Sequence, residues 1–519
     1  MSPAAELAAA VSSPDILRQA RLARTLTEVL EASLWAVVAV SVLAFGSVHH
    51  WAYSPLWIGC FATAVVALAR AVAVAGLRGR LGRHLVAFHS SGRWLVVDPH
   101  ASDRALGWSI DLAERAFPRG PLLFPALAFL AFTLLQLVPL PGGPVTLAPE
   151  ATRRGMTFVV AFLLLHQSAA VAFSHPGARR RFRRMVAWLG AALGLVALVQ
   201  LASGTRRIYG FFESLEGGHP YGPFVNRNHF AGYMLLVLPI ALGLLADAWR
   251  AYARRVGESA NARRSLVGLQ TSEGTALVYA ALPPFVGIGA LLASTSRGGI
   301  LAFFAALALA ALGVRSRRGT PAWAAALVFT AVALTWFGLE RLEVRFLRAA
   351  DDSPGRTVVW SESIAAMRGW RWLTGYGYDT FAEALSRVPA WTLPEGATPW
   401  PAGTESALLA GEAVGYRAPG DLPGIAWYRE AHSDYVQLLV ETGLPGLLIG
   451  LWAALAALAA VRRDPWLFAA LAGVLMHVFV DFDLQIPAIP ALFVVLAALP
   501  RRGSDPESTR PAEPATQEA

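Results

Sequence analysis

Apolar runs recur along this chain from Leu34 to Leu499. Each is about 17 to 25 residues long, enough to cross a bilayer core of about 30 Å. That repetition leaves few folds open. In hydrocarbon every backbone N–H and C=O must find its partner within the protein, so such runs fold as a bundle of helices. Taken one by one they give about twelve spans, near 32–48, 54–76, 121–140, 155–174, 185–203, 229–249, 274–294, 298–314, 320–338, 436–461, 465–482 and 486–500. Composition agrees: 55% of the 519 residues are hydrophobic and 15% are charged, less charge than a soluble chain of this size carries. The expected fold class is all-α, a polytopic membrane protein with about 12 transmembrane helices and a large outer-face loop.

The basic residues orient it. All 44 are arginine, and clusters of them recur in alternate loops: "GARRRFRRM" after span 4, "WRAYARRVGESANARRS" after span 6, "VRSRRGT" after span 8, "VRRD" after span 10 and "PRRG" after span 12. The positive-inside rule puts these loops, and with them both termini, in the cytoplasm. A net charge of +9 spread over such loops does not call for nucleic acid. The single Cys60 lies in an apolar run, which excludes a disulfide framework or a cysteine metal site.

The N-terminus does not read as a cleavable signal. In "SPDILRQARLARTLTEVLE", Ser13 is a plausible cap and Pro14 a first helical residue, with Arg18, Arg21 and Arg24 at helical spacing. The expected organisation is an interfacial helix (1–31), a membrane domain of spans 1–9 (32–338) with a cytoplasmic loop (77–120), a large outer loop (339–435), spans 10–12 (436–502), and a polar, Pro-rich tail (503–519) that reads as disordered.

Four polar constellations share the outer side: "GHPYGPFVNRNHFAGY" (218–233), "STSRGG" (294–299), "GRTVVW" with Arg356, and "HSDY" (432–435). An arginine near the bilayer edge is costly and usually lines a polar cavity. The glycines beside Arg297 leave room for a ligand. Arg356 reads equally as a ligand contact or as a salt-bridge partner of Asp351 or Asp352, and Arg227, next to Asn228, reads first as a headgroup-level anchor. In "GRTVVWSESIAAMRGWRWLTGYGYDTF" the spacing predicts a helix over Thr357–Met367 and then a turn-rich segment; Trp360 and Tyr378 suit either stacking on sugars or anchoring at headgroup level. The stretch "PAWTLPEGATPWPAGTESALLAGEAVGYRAPGDLPG" (389–424) reads as a mobile lid.

These motifs carry a resemblance. "STSRGG", "GRTVVWSESIAAMRGWRWLTGYGYDTF" and "AHSDYVQLLVETGLPG" occur in the order and spacing of the bacterial O-antigen ligase and O-antigen polymerase-like membrane proteins, and "GPFVNRNHFAGYMLLVLPIALG" resembles a stretch in one branch of them. The resemblance covers roughly residues 185–500. It implies a GT-C-like, metal-independent glycosyltransferase of the bacterial inner membrane that needs no cofactor. Its donor would be a polyprenyl diphosphate-linked oligosaccharide, and its acceptor a lipid A core or a growing glycan. It implies that Arg297 and Arg356 bind the diphosphate and that His432 is the catalytic base.

Elementary chemistry is consistent with these roles. An acceptor hydroxyl must lose a proton, which histidine takes near neutral pH. A departing diphosphate gains negative charge that fixed arginines stabilise. Such a site must touch both lipid and water, which is where His432 stands, at the mouth of span 10. From there Asp434, Gln437 and Glu441 form one polar stripe. Asp434 either orients the imidazole or is a helix-start charge favoured by the dipole. "DFD" (481–483) reads as structural or acceptor-side rather than as a metal site. The competing class is a transporter of a small anion such as bicarbonate, which would show internal repeats and interrupted helices meeting at the midplane.

Overall fold

A computed structural model describes residues 14–85, 120–140, 143–173, 176–213, 219–257, 267–313, 354–387 and 430–499. Span 9, most of the 77–120 loop, the expected lid and the tail lie outside the described residues. The helices are α1 (Pro14–Leu43), α2 (His50–Leu85), α3 (Leu123–Gln136), α4 (Pro149–Ala172), α5 (Pro176–Ser203), α6 (Arg227–Val256), α7 (Ser272–Ala293) and α8 (Arg297–Gly313). After them come α9 (Pro354–Ala366), α10 (Arg371–Thr374), α11 (Phe381–Arg387), α12 (Asp434–Val461), α13 (Pro465–His477) and α14 (Ala488–Ala497). Strands β1 (Pro139–Leu140) and β2 (Gly143–Pro144) form one small antiparallel pair. The fold is therefore all-α and polytopic. Among the described residues, seven helices are long and apolar enough to cross a membrane, and α3, α8, α13 and α14 are shorter apolar helices. The arginine-bearing segment from Pro14 and the first span form the single continuous helix α1.

Helix α6 is the central post. Every residue from His229 to Gly243 is buried, as expected of a helix that is apolar all round. It packs against α5, α7, α8, α13 and α14. Close approach to α13 requires a small residue, because a Cβ at Gly243 would sit 2.8 Å from the Trp466 ring. At the end bearing the basic loops, Arg181 grips Glu31 of α1 through two nitrogens. Arg183 bonds Asp464 at 2.7 Å, and Asp464 also caps α13 through Trp466 and Leu467.

The unusual His166 and Gln167 of α4 face inward. Their side chains accept from Leu122 N and Gly120 N, serving the otherwise unpaired donors at the start of α3.

Helix α12 breaks at Gly443 (φ 64°), just before Pro445. The break frees carbonyls that need partners inside a membrane protein. The "TGYGYD" segment supplies them: Tyr376 N donates to Val440 O at 3.0 Å and Gly377 N to Glu441 O at 2.9 Å. Gln136 donates to Glu441 O and Thr374 O. The Glu441 carboxylate accepts from Asp379 N, Phe381 N and Gln437. The stripe Asp434, Gln437 and Glu441 is thus buried and bonded to other parts of the chain.

Candidate active site

His432 sits on a shelf built by three segments. Ser433 caps α12 by accepting from Val436 N. Just upstream, the Ala431 residue is held at both ends: its N–H donates to Gln437 Oε1 at 3.2 Å, and its carbonyl accepts the Trp360 indole N–H at 2.8 Å. Gln437 also donates to Glu430. Between these holds His432 adopts a left-handed backbone, φ 53°, a conformation that persists only where the surroundings impose it. Its half-buried ring lies edge-on to Phe482, with centroids 5.0 Å apart. Asp434 follows two residues on, at the first position of α12. Its oxygens accept from Leu484 N (2.9 Å) and Gln485 Nε2 (3.1 Å), so it ties α12 to the 481–485 turn.

The arginine turn lies nearby. Residues 294–296 link α7 to α8, with Ser296 N donating to the Ser294 hydroxyl. Thr295 has φ 55°, strained for a β-branched residue. Arg297 is the first residue of α8, and Arg227 is the first residue of α6, capped by Asn226 accepting from Asn228 N. The Arg227 guanidinium donates to the Thr295 hydroxyl at 3.3 Å. Two sequence-distant arginines therefore stand at adjoining helix N-termini, the positive ends of those helices.

The 481–485 turn joins both groups. Asp483 is fully buried, and its oxygens face His229 Nδ1 (3.1 Å) and His477 Nδ1 (2.6 Å). Burial alone would raise the Asp483 carboxyl, but His477 and His229 outweigh it and hold it below the ordinary carboxylate range. The neighbouring Phe482 stacks edge-on against both His229 and His432. His229, Asp481 and Asp483 bring ligand-type atoms within 4.8 Å of one another, a cluster compact enough for an ion. The Asp483 oxygens already have imidazole partners.

The remaining sequence candidates fall differently. The Arg356 backbone lies in the first turn of α9, and its side chain is outside the described residues. Trp360 supports the shelf, as above. Tyr378 is not brought to His432: it packs edge-on to Phe129 and lies over Gly155, while Thr152 and Gln136 bond its backbone. Sequence reasoning passed over His229 and His477. The signal for the first was its place in "NRNHF"; the second had none beyond a histidine closing an apolar run.

Residues 283–451 match the family model described as O-antigen ligase. Over that stretch the chain is similar to the O-antigen ligase family. The match runs from within α7 to within α12, so it takes in Arg297, Arg356, Trp360, Tyr378 and His432 but not Arg227, His229, His477 or Asp483. A comparison with curated proteins finds no match. That match, with the apolar helices, supports a multi-pass membrane protein with a role in glycan transfer.

Proposed function

We propose that this chain moves a glycan from a polyprenyl diphosphate to an acceptor hydroxyl at the periplasmic face, without a metal. The observation that carries this reading is the meeting of His432, the Arg227–Thr295 contact and two helix N-termini at one end of the bundle. In the proposed step the acceptor oxygen attacks the anomeric carbon of the donor while His432 takes the hydroxyl proton. The bond from that carbon to the diphosphate oxygen breaks, and its electron pair leaves with the diphosphate. Arg297 and Arg227, with Arg356 from the resemblance, oppose the growing charge. The helix N-termini add fixed positive dipole ends. His432 is half-buried at the mouth of α12, where a hydrated acceptor and a lipid-held donor can meet.

The broken helix α12 does not favour an anion carrier. Its break is filled by the backbone of residues 375–377 rather than left to a ligand. The test is deletion in the source organism followed by gel analysis of surface glycans. Loss of all polymer from lipid A indicates ligation, and a single repeat unit remaining on lipid A indicates polymerisation. Unchanged glycans with altered anion uptake would reject the reading. Purified protein should keep transferring glycan in excess chelator; activity lost there and restored by magnesium or manganese would overturn metal independence.

A further inference from the structure

The 481–485 turn touches two of the polar constellations directly, 218–233 through His229 and 432–435 through His432 and Asp434. Asp483 lies between two histidines from different helices. His229 is two residues beyond Arg227 on α6, and its Nδ1 faces one carboxylate oxygen at 3.1 Å. His477 ends α13, and its Nδ1 faces the other at 2.6 Å. An ionised carboxylate only accepts, so each facing Nδ1 carries the proton. All three side chains are buried, at 4%, 1% and 0% exposure. In a low-dielectric setting charge-assisted hydrogen bonds of this kind are directional and strong.

Each partner reaches a different motif. Gly298, next to Arg297, lies so close to His477 that a Cβ there would meet the ring at 3.0 Å. On α6, a Cβ at Gly232 would lie 2.0 Å from Asp483 Oδ2, so the helix admits the carboxylate only because that position is glycine. Phe482 carries the connection on to His432, standing edge-on between its ring (5.0 Å) and that of His229 (4.6 Å). On the other side of the turn, Leu484 and Gln485 hold Asp434, two residues after His432.

We propose that Asp483, gripped by His229 and His477, is a positioning residue that fixes His432 relative to the arginine turn. It touches neither donor nor acceptor. This inference rests on His432 being the base, and it assigns a reason for two buried histidines and a buried carboxylate that the transfer step itself does not use. A displacement of about 1 Å between a base and its substrate costs on the order of 10²-fold in rate.

The experiment measures donor binding and single-turnover transfer for purified full-length variants in nanodiscs, using a short synthetic polyprenyl diphosphate glycan. Asp483→Asn should lower the transfer rate roughly 10²-fold, while donor Kd stays within about threefold because the arginines remain. Retained donor binding also shows that the variant is folded. His477→Gln keeps an N–H donor and should recover most of the rate that His477→Leu loses. Combined with His432→Ala, Asp483→Asn should cost nothing further, because both act through one imidazole.

Wild-type turnover in Asp483→Asn would overturn the proposal. So would a defect that adds fully to that of His432→Ala, or donor binding lost in parallel with rate. Elemental analysis provides a separate arm: a stoichiometric divalent metal in the wild type that disappears in Asp483→Asn would replace the hydrogen-bonded clamp with a metal site. Full turnover in His432→Ala would remove the reading on which the inference rests. A crippled His432→Ala beside an unaffected Asp483→Asn would sink the inference alone.

Discussion

A non-glycine residue in the left-handed region costs about 1–2 kcal/mol. The chain accepts that cost at His432 (φ 53°) and at Thr295 (φ 55°), beside the arginine turn. At His432 the hold comes from Trp360, Gln437 and Ser433, which fix the flanking peptides. If His432 is the base, His432→Ala should lower transfer by about 10² to 10⁴-fold while donor binding survives, as read by single-turnover rate and donor Kd. Arg227→Ala and Arg297→Ala should weaken both donor binding and rate, and their double variant should fall short of the product of the single effects, since both oppose one leaving group. Fully intact binding and turnover in that double variant would reject the diphosphate assignment.

Trp360 offers a sharper residue-level test. Trp360→Phe keeps an aromatic face but loses the N–H that holds Ala431 O. A shelf role predicts a lower transfer rate at unchanged acceptor KM; a sugar-stacking role, which the retained ring preserves, predicts little change in rate. Such roles were only partly legible in the sequence. "HSDY" and "STSRGG" stand out because charge at the mouth of an apolar run is expensive. The partner of Asp434 is 50 residues away and that of Arg227 is 68, and local spacing says nothing about such contacts.

At the scale of elements, the docking of "TGYGYD" onto the broken α12 joins the 354–387 segment to the membrane bundle. Gly377 has φ 118°, and a Cβ there would lie 2.1 Å from Thr146 Oγ1. Gly375 and Gly443 pack backbone against backbone at the break, where added atoms would meet Glu441 and Trp372. Gly377→Ala should therefore lower stability by about 2 kcal/mol or more, combining backbone strain with overpacking. Thermal unfolding in detergent reads this directly, and an unchanged midpoint would show that the docking adapts. The spans themselves were readable because length and hydropathy are local properties. The break was not, although "ETGLPG" supplied the glycine and the proline. A continuous apolar pattern runs across it, and only the carbonyls it frees and the loop that takes them give it meaning.

For the whole molecule, the orientation decides whether any of this chemistry faces the periplasm. The expectation rests on the arginine loops, and the structure gathers the matching ends together. The Arg181–Glu31 and Arg183–Asp464 pairs lie at the end of the bundle opposite His432, the arginine turn and the 481–485 turn. Those two pairs also explain why arginine serves at these loops beyond its charge, since the fork of Arg181 meets Glu31 through two nitrogens. The prediction uses one exposed residue from each end. Phe211, in the loop between α5 and α6, is 72% exposed and belongs to the site end. Arg462, in the turn between α12 and α13, is exposed at the arginine end. The single native Cys60 is buried, so background labelling should be low. In intact cells stripped of the outer membrane, Phe211→Cys should react with an impermeant thiol reagent. Arg462→Cys should react only after the inner membrane is permeabilised. The opposite pattern would turn His432 and the two arginines toward the cytoplasm, where a donor already displayed on the outer leaflet could not reach them, and would reject periplasmic transfer at this site.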